Sequence, residues 1–356
     1  MRMGRKHCNI PLFIPHMGCP HRCVFCNQNT ISGCASFDPD TVPDRIRAAL
    51  ETISPDADCE IAYFGGSFTG IDRSLMVRLL DIAQSFADRA VPGQARVRGI
   101  RMSTRPDYLP DDVMRLLSRY SVTTVELGIQ SMDDGVLRVC RRGHTARDAE
   151  NACRAVKRAG YGLIGQMMVG LPGADGASEV ATAKALVAMG VDGTRIYPTV
   201  VFAGTELYAG CLRGDYTPMT MEETVARCCA VLRVFDEANV PCIRLGLCAS
   251  DGVRDAAPGQ AAAHPAIGEQ MRSALYEEKI RAALQNAAHG KPLRGRVLEL
   301  TVPRGEVSRA IGQRGVNRDR LLAAYGLRGM RVREGDSFCV SLSDGAGQNI
   351  EEKTNQ

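Results

Sequence analysis

The order of apolar and amphipathic segments predicts an α/β fold, a partial (β/α) barrel followed by a small α+β module at the C-terminal end. Three observations carry that expectation. Short apolar runs of strand length alternate with helical stretches across residues 10–245. The links between them are short, and a strand–helix–strand series of this kind implies right-handed crossovers and a parallel sheet. The segments with the most chemistry to offer, one rich in cysteine and one in glycine, each follow directly on a strand, where a barrel builds its site.

Taken in order, residues 10–15 (Ile-Pro-Leu-Phe-Ile-Pro) read as the first strand and deliver the chain into the cysteine loop. A helix is expected at 39–53, and the strand at 60–64 stops at Gly65-Gly66-Ser67. Helix 74–89 leads to strand 97–103, and helix 111–120 to strand 123–128. Two further helical stretches, 133–140 and 146–159, precede strand 162–169. Helix 177–189 then precedes strand 193–198, and helix 221–238 precedes a short strand at 242–245. Residues 1–250 form the expected core, and residues 251–264, rich in Ala, Gly and Pro, read as a linker or lid that a helix follows up to about residue 290.

Within the first loop, Cys19, Cys23 and Cys26 stand in the run Gly-Cys-Pro-His-Arg-Cys-Val-Phe-Cys-Asn. Three thiolates at CxxxCxxC spacing can converge on one metal centre, and the next cysteine, Cys34, lies eight residues on. Closed structural sites for zinc or iron–sulfur take four protein ligands, so three ligands leave one position for a substrate. Cys8, Cys59, Cys140, Cys153, Cys211, Cys228, Cys229, Cys242, Cys248 and Cys339 are scattered, and buried free thiols are the better reading for them.

The cysteine segment resembles that of the radical S-adenosylmethionine (SAM) enzymes, down to the aromatic Phe25 before the last ligand. The resemblance implies that the three cysteines hold a [4Fe-4S] cluster whose unligated iron binds SAM, and that an electron from the cluster releases a 5′-deoxyadenosyl radical. An electron donor such as ferredoxin or flavodoxin is then implied. Gly65 and Gly66 resemble the family motif that meets the SAM amine, with Ser67 where many members carry Glu. Ser103, Arg105, Glu126 and Gln130 fall on the same cofactor side, Gln130 as a contact to the ribose. Glu126 sits in a strand expected to be buried, so it needs a ligand or an internal partner such as Arg105. His144 reads as part of a loop and helix cap rather than as a catalyst.

The middle of the chain narrows the resemblance. Ser103-Thr104-Arg105-Pro106-Asp107-Tyr108, Val125-Glu126-Leu127-Gly128-Ile129-Gln130-Ser131 and Arg142-Gly143-His144-Thr145 occur in the order seen in the radical-SAM half of the Elongator catalytic subunit. Gln166-Met167-Met168-Val169-Gly170-Leu171-Pro172-Gly173 and Asp192-Gly193-Thr194-Arg195-Ile196-Tyr197-Pro198 follow in the same order. That subunit modifies the wobble uridine of tRNA. It spaces its first two cysteines more widely, and no counterpart of its acetyltransferase domain is expected here.

The C-terminal end carries a different signal. Between Lys291 and Arg333, eleven Lys and Arg face Glu299, Glu306 and Asp319, a surplus of eight, while the whole chain is only +4. A basic concentration of this kind is the footprint of a polyanion partner. A strand at 296–302, a short helix at 305–310, the tetrad Gly312-Gln313-Arg314-Gly315, a helix at 316–325 and a strand at 329–333 are expected there. The tetrad resembles the GxxG loop of KH domains, which clamps single-stranded RNA. Residues 291–343 are thus read as a KH-like RNA-binding module and 344–356 as a disordered tail.

Composition fits a cytoplasmic enzyme. The chain has 14 Cys in 356 residues and is 45% hydrophobic, with no apolar run of membrane-spanning length and no signal-peptide core at its start. The function expected is radical-SAM modification of RNA, most directly tRNA. The alternatives are a radical-SAM enzyme for a small molecule, resembling oxygen-independent coproporphyrinogen oxidase, and a non-catalytic iron–sulfur protein that binds RNA.

Overall fold

A seven-stranded sheet, all parallel and in sequential order, forms the larger of two units. It runs β1 (His7–Ile14), β2 (Asp58–Gly65), β3 (Arg96–Thr104), β4 (Val122–Gln130), β5 (Gly162–Val169), β6 (Gly193–Pro198) and β7 (Cys242–Leu245). Among the described residues β1 pairs only with β2 and β7 only with β6, so the sheet is an open, partial barrel. The computed structural model describes residues 7–14, 17–19, 23–27, 36–89, 91–247, 260–288 and 292–344. The linker reading at 251–264 and the disordered-tail reading fall almost wholly outside these.

The crossover helices are α1 (Val42–Thr52), α2 (Arg73–Ala87), α3 (Asp111–Leu117), α4 (Asp134–Val139), α5 (Ala146–Arg158), α6 (Gly176–Ala188), α7 (Glu206–Arg213) and α8 (Met221–Glu237). Side chains set the starts of all but α1 and α3. Thr145 and Asp148 form a capping box at α5, Thr220 and Glu223 another at α8, and Asp72 caps α2. In α5, Ala149, Ala152, Cys153 and Val156 recur at helical spacing and are buried. The Arg142–Thr145 segment is therefore a helix entry, and His144 lies just ahead of the cap.

Strands β1 and β2 begin earlier than apolar patterning suggests, because their polar N-terminal residues find partners across the ladder. Cys8 and Cys59 sit opposite one another with their sulfurs 2.9 Å apart, and His7 reaches Glu60 at 2.9 Å.

The second unit runs from Ala266 and contains the helix expected near 266–286. That helix, α9 (Ile267–Ala288), is not part of a linker. Its Tyr276, Ile280 and Leu284 share a core with Leu298, Leu300, Ala310 and Leu321. After α9 come β8 (Val297–Pro303), α10 (Val307–Ile311), α11 (Val316–Tyr325), β9 (Gly329–Gly335) and β10 (Cys339–Ser343). Central β8 pairs in parallel with β9 and antiparallel with β10, a strand the sequence reading does not include.

Candidate active site

The cysteine loop is held from two sides. Toward its start, Gly66 N–H donates to Ile14 O at 3.0 Å and Ser67 N–H to Met17 O at 3.2 Å. The two backbones touch so closely that a Cβ at Gly66 would come within 2.2 Å of Met17 O, and one at Gly18 within 2.1 Å of Ser67 O. Gly65, at φ 113°, adds a conformation that only glycine adopts readily. The glycine pair thus has a packing reason independent of any ligand: it lets the loop bearing Cys19 lie on the end of β2. Toward its end, Leu207 N–H donates to Val24 O at 2.8 Å. Val24 and Phe25 are buried against Val136, Leu171, Val201 and Leu207. The aromatic residue before Cys26 is an anchor.

These elements frame a cavity of about 810 Å³, within the size range of small-molecule sites. Cys19, Cys23 and Cys26 line it together with Gly65, Gly66, Ser103, Arg105 and Gln130. Gln130 closes β4 at φ 69°, and its buried Oε1 has no partner among the described residues. Burial raises the Cys19 thiol pKa above its usual value, while Arg105 and Arg142 pull it down. Burial outweighs the two cations at Cys19, so it is metal binding that would draw the thiolate form. Three thiol donors around one cavity are a donor set that a cubane cluster takes, each thiolate at a different iron.

Two expected cofactor contacts lie elsewhere. Ser67 is fully buried behind the cavity, where its Oγ shares a hydrogen bond with Thr104 Oγ1 (2.8 Å) and accepts the Arg105 N–H at 3.3 Å. Only its neighbours Gly65 and Gly66 face the cavity. Glu126 is likewise buried, and its oxygens are taken by Arg101 Nε at 2.5 Å, Arg195 Nη2 at 2.9 Å and Gln166 Nε2 at 2.8 Å. Its partner is not Arg105, whose guanidinium grips Asp107 with two bonds of 2.9 Å and donates to Arg142 O. Residues on parallel strands reach the barrel interior at alternate positions. Arg101 is on the inward set of β3, whereas Arg105 lies past that strand's end.

The cavity also has lining residues that the sequence reading leaves out. Arg141, Arg142, Asn27, Gln166 and Glu206 are among them. Arg142 Nη1 lies 3.2 Å from Cys23 Sγ, 119 positions away in the chain. Arg141, at φ 53°, forms an ion pair with Glu206 at the rim. Their signal in the sequence is the Arg pair itself, placed after a strand end. His144 is buried; its Nε2–H donates to Ile129 O at 3.3 Å, and burial lowers its pKa to about 4. That keeps it neutral and removes it from acid–base work. Cys228 and Cys229 are buried within α8, whereas Cys34 and Cys248 lie outside the described residues.

In the second unit, the tetrad forms a tight corner between α10 and α11. Gly312, Arg314 and Gly315 all have positive φ, of 80°, 55° and 81°. A Cβ at Gly312 would meet Asn317 N at 2.8 Å. Asn317 is buried and donates to Ser273 O (2.8 Å) and Arg309 O (3.0 Å), pinning the corner to α9. Gln313, Arg314 and Arg318 are exposed, and no side chain caps α11.

Comparison with known proteins agrees with this geometry. The chain resembles the tRNA uridine(34) acetyltransferase of Methanocaldococcus jannaschii, 27% identical over 250 residues, which are 58% of this chain and 45% of that protein. It also resembles Elongator complex protein 3 of Schizosaccharomyces pombe, 31% identical over 159 residues, 43% of this chain and 29% of that one. The chain thus spans less than half the length of these two relatives. Among solved structures, the N-terminally truncated archaeal Elp3 of Methanocaldococcus infernus shares the fold, with a TM-score of 0.60 at 21% identity over 78% of this chain and 64% of that one. Residues 13–186 match the Radical SAM superfamily and residues 191–277 the Radical_SAM C-terminal domain. The chain therefore belongs to the radical SAM superfamily, whose cofactors are a [4Fe-4S] cluster and S-adenosylmethionine.

Proposed function

We propose that the protein modifies RNA, most directly tRNA at the wobble uridine, using the barrel for chemistry and the C-terminal unit to hold the RNA backbone. The observation that carries the reading is the Gly312–Gly315 corner. Positive φ at both glycines turns the chain tightly enough for a phosphate to approach, and the uncapped N-terminus of α11 offers amides and a positive dipole end. The +8 surplus of the surrounding segment supplies the charge. The names of the relatives support tRNA as the substrate class.

Cys19, Cys23 and Cys26 are the residues that would hold the cluster, leaving one iron for SAM, and the bound pair would supply a 5′-deoxyadenosyl radical. Gly65 and Gly66 position the loop. Arg105 and Arg142 stand beside Cys19 and Cys23, and Gln130 lines the same cavity. Reducing equivalents would come from a ferredoxin- or flavodoxin-type donor, in a cytoplasmic setting. Among the described residues no helix is long and apolar enough to cross a membrane.

Mass spectrometry of tRNA nucleosides from deletion and parent strains tests the substrate, and a uridine modification missing in the deletion strain is expected. Replacing Gln313 and Arg314 by Asp should weaken tRNA binding at least tenfold, about 1.4 kcal/mol, and leave SAM cleavage intact. Unchanged nucleosides together with unchanged tRNA affinity would favour the small-molecule reading instead.

A further inference from the structure

Arg142 stands apart from the other buried arginines of the barrel unit. Arg101 is paired with Glu126 and Glu60, and Arg105 with Asp107. Arg142 is equally buried, at 7% exposure, but among the described residues its side chain meets no carboxylate. Its Nη2 donates to Gly128 O at 2.5 Å, which fixes the guanidinium at the end of β4. Its Nη1 is left aimed at Cys23 Sγ at 3.2 Å, and its Nε has no partner among the described residues. An uncompensated buried cation is costly unless a negative group faces it, and here the group it faces is the sulfur of Cys23, which as a cluster ligand would be a thiolate.

We propose that Arg142 sets the reduction potential of the cluster held by Cys23, acting as a positioned donor and cation rather than as a contact to the substrate. The proposal rests on the reading of Cys23 as a cluster ligand. One-electron reduction adds a negative charge to the cluster, the electron coming from a low-potential donor. A hydrogen bond to a ligand sulfur and an unneutralised cation beside it both stabilise the more negative state, and such bonds are among the levers that set cluster potentials. Arg105 contributes less because Asp107 offsets its charge. A residue that merely pinned the end of β4 through Gly128 O would leave the potential unchanged.

The test uses the full chain, reconstituted anaerobically and titrated with dithionite in the absence of SAM, with the reduced cluster followed by electron paramagnetic resonance. Arg142→Gln should lower the equilibrium constant for one-electron reduction at least tenfold, which is 59 mV toward more negative potential for a one-electron couple. Arg142→Lys, which keeps a charge, should fall between that variant and the parent. In parent protein labelled with ¹⁵N-arginine, pulsed resonance should detect a weakly coupled nitrogen at the cluster that Arg142→Lys removes. This second measurement decides the matter if Arg142→Gln does not load iron. A parent that assembles no cluster overturns the ligand reading itself. A parent that carries the cluster, but shows no ¹⁵N coupling or the same potential as a loaded Arg142→Gln, overturns the role of Arg142 alone.

Discussion

Acidification from pH 7 to pH 5 should cost the barrel unit about 2 kcal/mol of stability through one residue, His144. Its ring is 4% exposed, and its pKa falls from 6.5 to about 4, chiefly by burial and then by the charge of Arg142. Arg105 adds to the depression and Asp107 opposes it. Because Nε2–H is already spent on Ile129 O, the incoming proton would go to Nδ1, which is buried and has no acceptor among the described residues. In the unfolded chain His144 takes its proton near pH 6.5, and in the folded chain only near 4. The contribution is therefore complete above pH 6.5 and is lost as pH falls toward 4. Over the whole window the loss amounts to about 3 kcal/mol, of which about 2 is spent by pH 5. Urea unfolding followed by circular dichroism at pH 7, 6 and 5 measures it, on the parent and on His144→Asn. The parent should lose about 2 kcal/mol more than the variant between pH 7 and 5. Parallel pH profiles would refute the reasoning, since they would mean that His144 ionises equally easily in both states.

Two further perturbations follow from buried contacts. Glu126→Gln removes the carboxylate shared by Arg101 and Arg195 and leaves Arg101 with Glu60, and urea unfolding should show a loss of about 3 kcal/mol. Gly312→Ala forces a side chain onto Asn317 at a backbone conformation nearly reserved for glycine. The C-terminal unit should lose about 1–3 kcal/mol, read by hydrogen exchange in α11, and tRNA affinity should fall with it.

Much of the fold was legible because most strands of the barrel are short apolar runs and most of its helices carry an entry signal, such as Thr145 with Asp148. The cysteine loop was legible for a similar reason: its three thiols lie within eight residues, so spacing alone brings them together. What the sequence could not show is long-range. Nothing local joins Arg142 to Cys23 or Glu126 to Arg195, and these contacts exist only once the strands are in register. Of the two readings of Glu126, a ligand or an internal partner, the internal partner holds, but it is Arg101 rather than Arg105, for which the alternation of Arg101 with apolar neighbours was the available clue. Ser67 looked like a ligand contact because it follows two glycines, yet those glycines exist to seat the cysteine loop and Ser67 hydrogen-bonds behind them. Strand β10 went unread because only its last two residues are buried.

The central claim is that Cys19, Cys23 and Cys26 hold a cluster that opens SAM, and the most direct measurement is iron, sulfide and 5′-deoxyadenosine on one preparation. The full chain, reconstituted anaerobically and given SAM and dithionite, should carry about four iron and four sulfide and release 5′-deoxyadenosine. Cys23→Ala should release none, while Cys228→Ala, buried in α8, should match the parent in iron and product. Equal 5′-deoxyadenosine from Cys23→Ala and the parent would contradict the account.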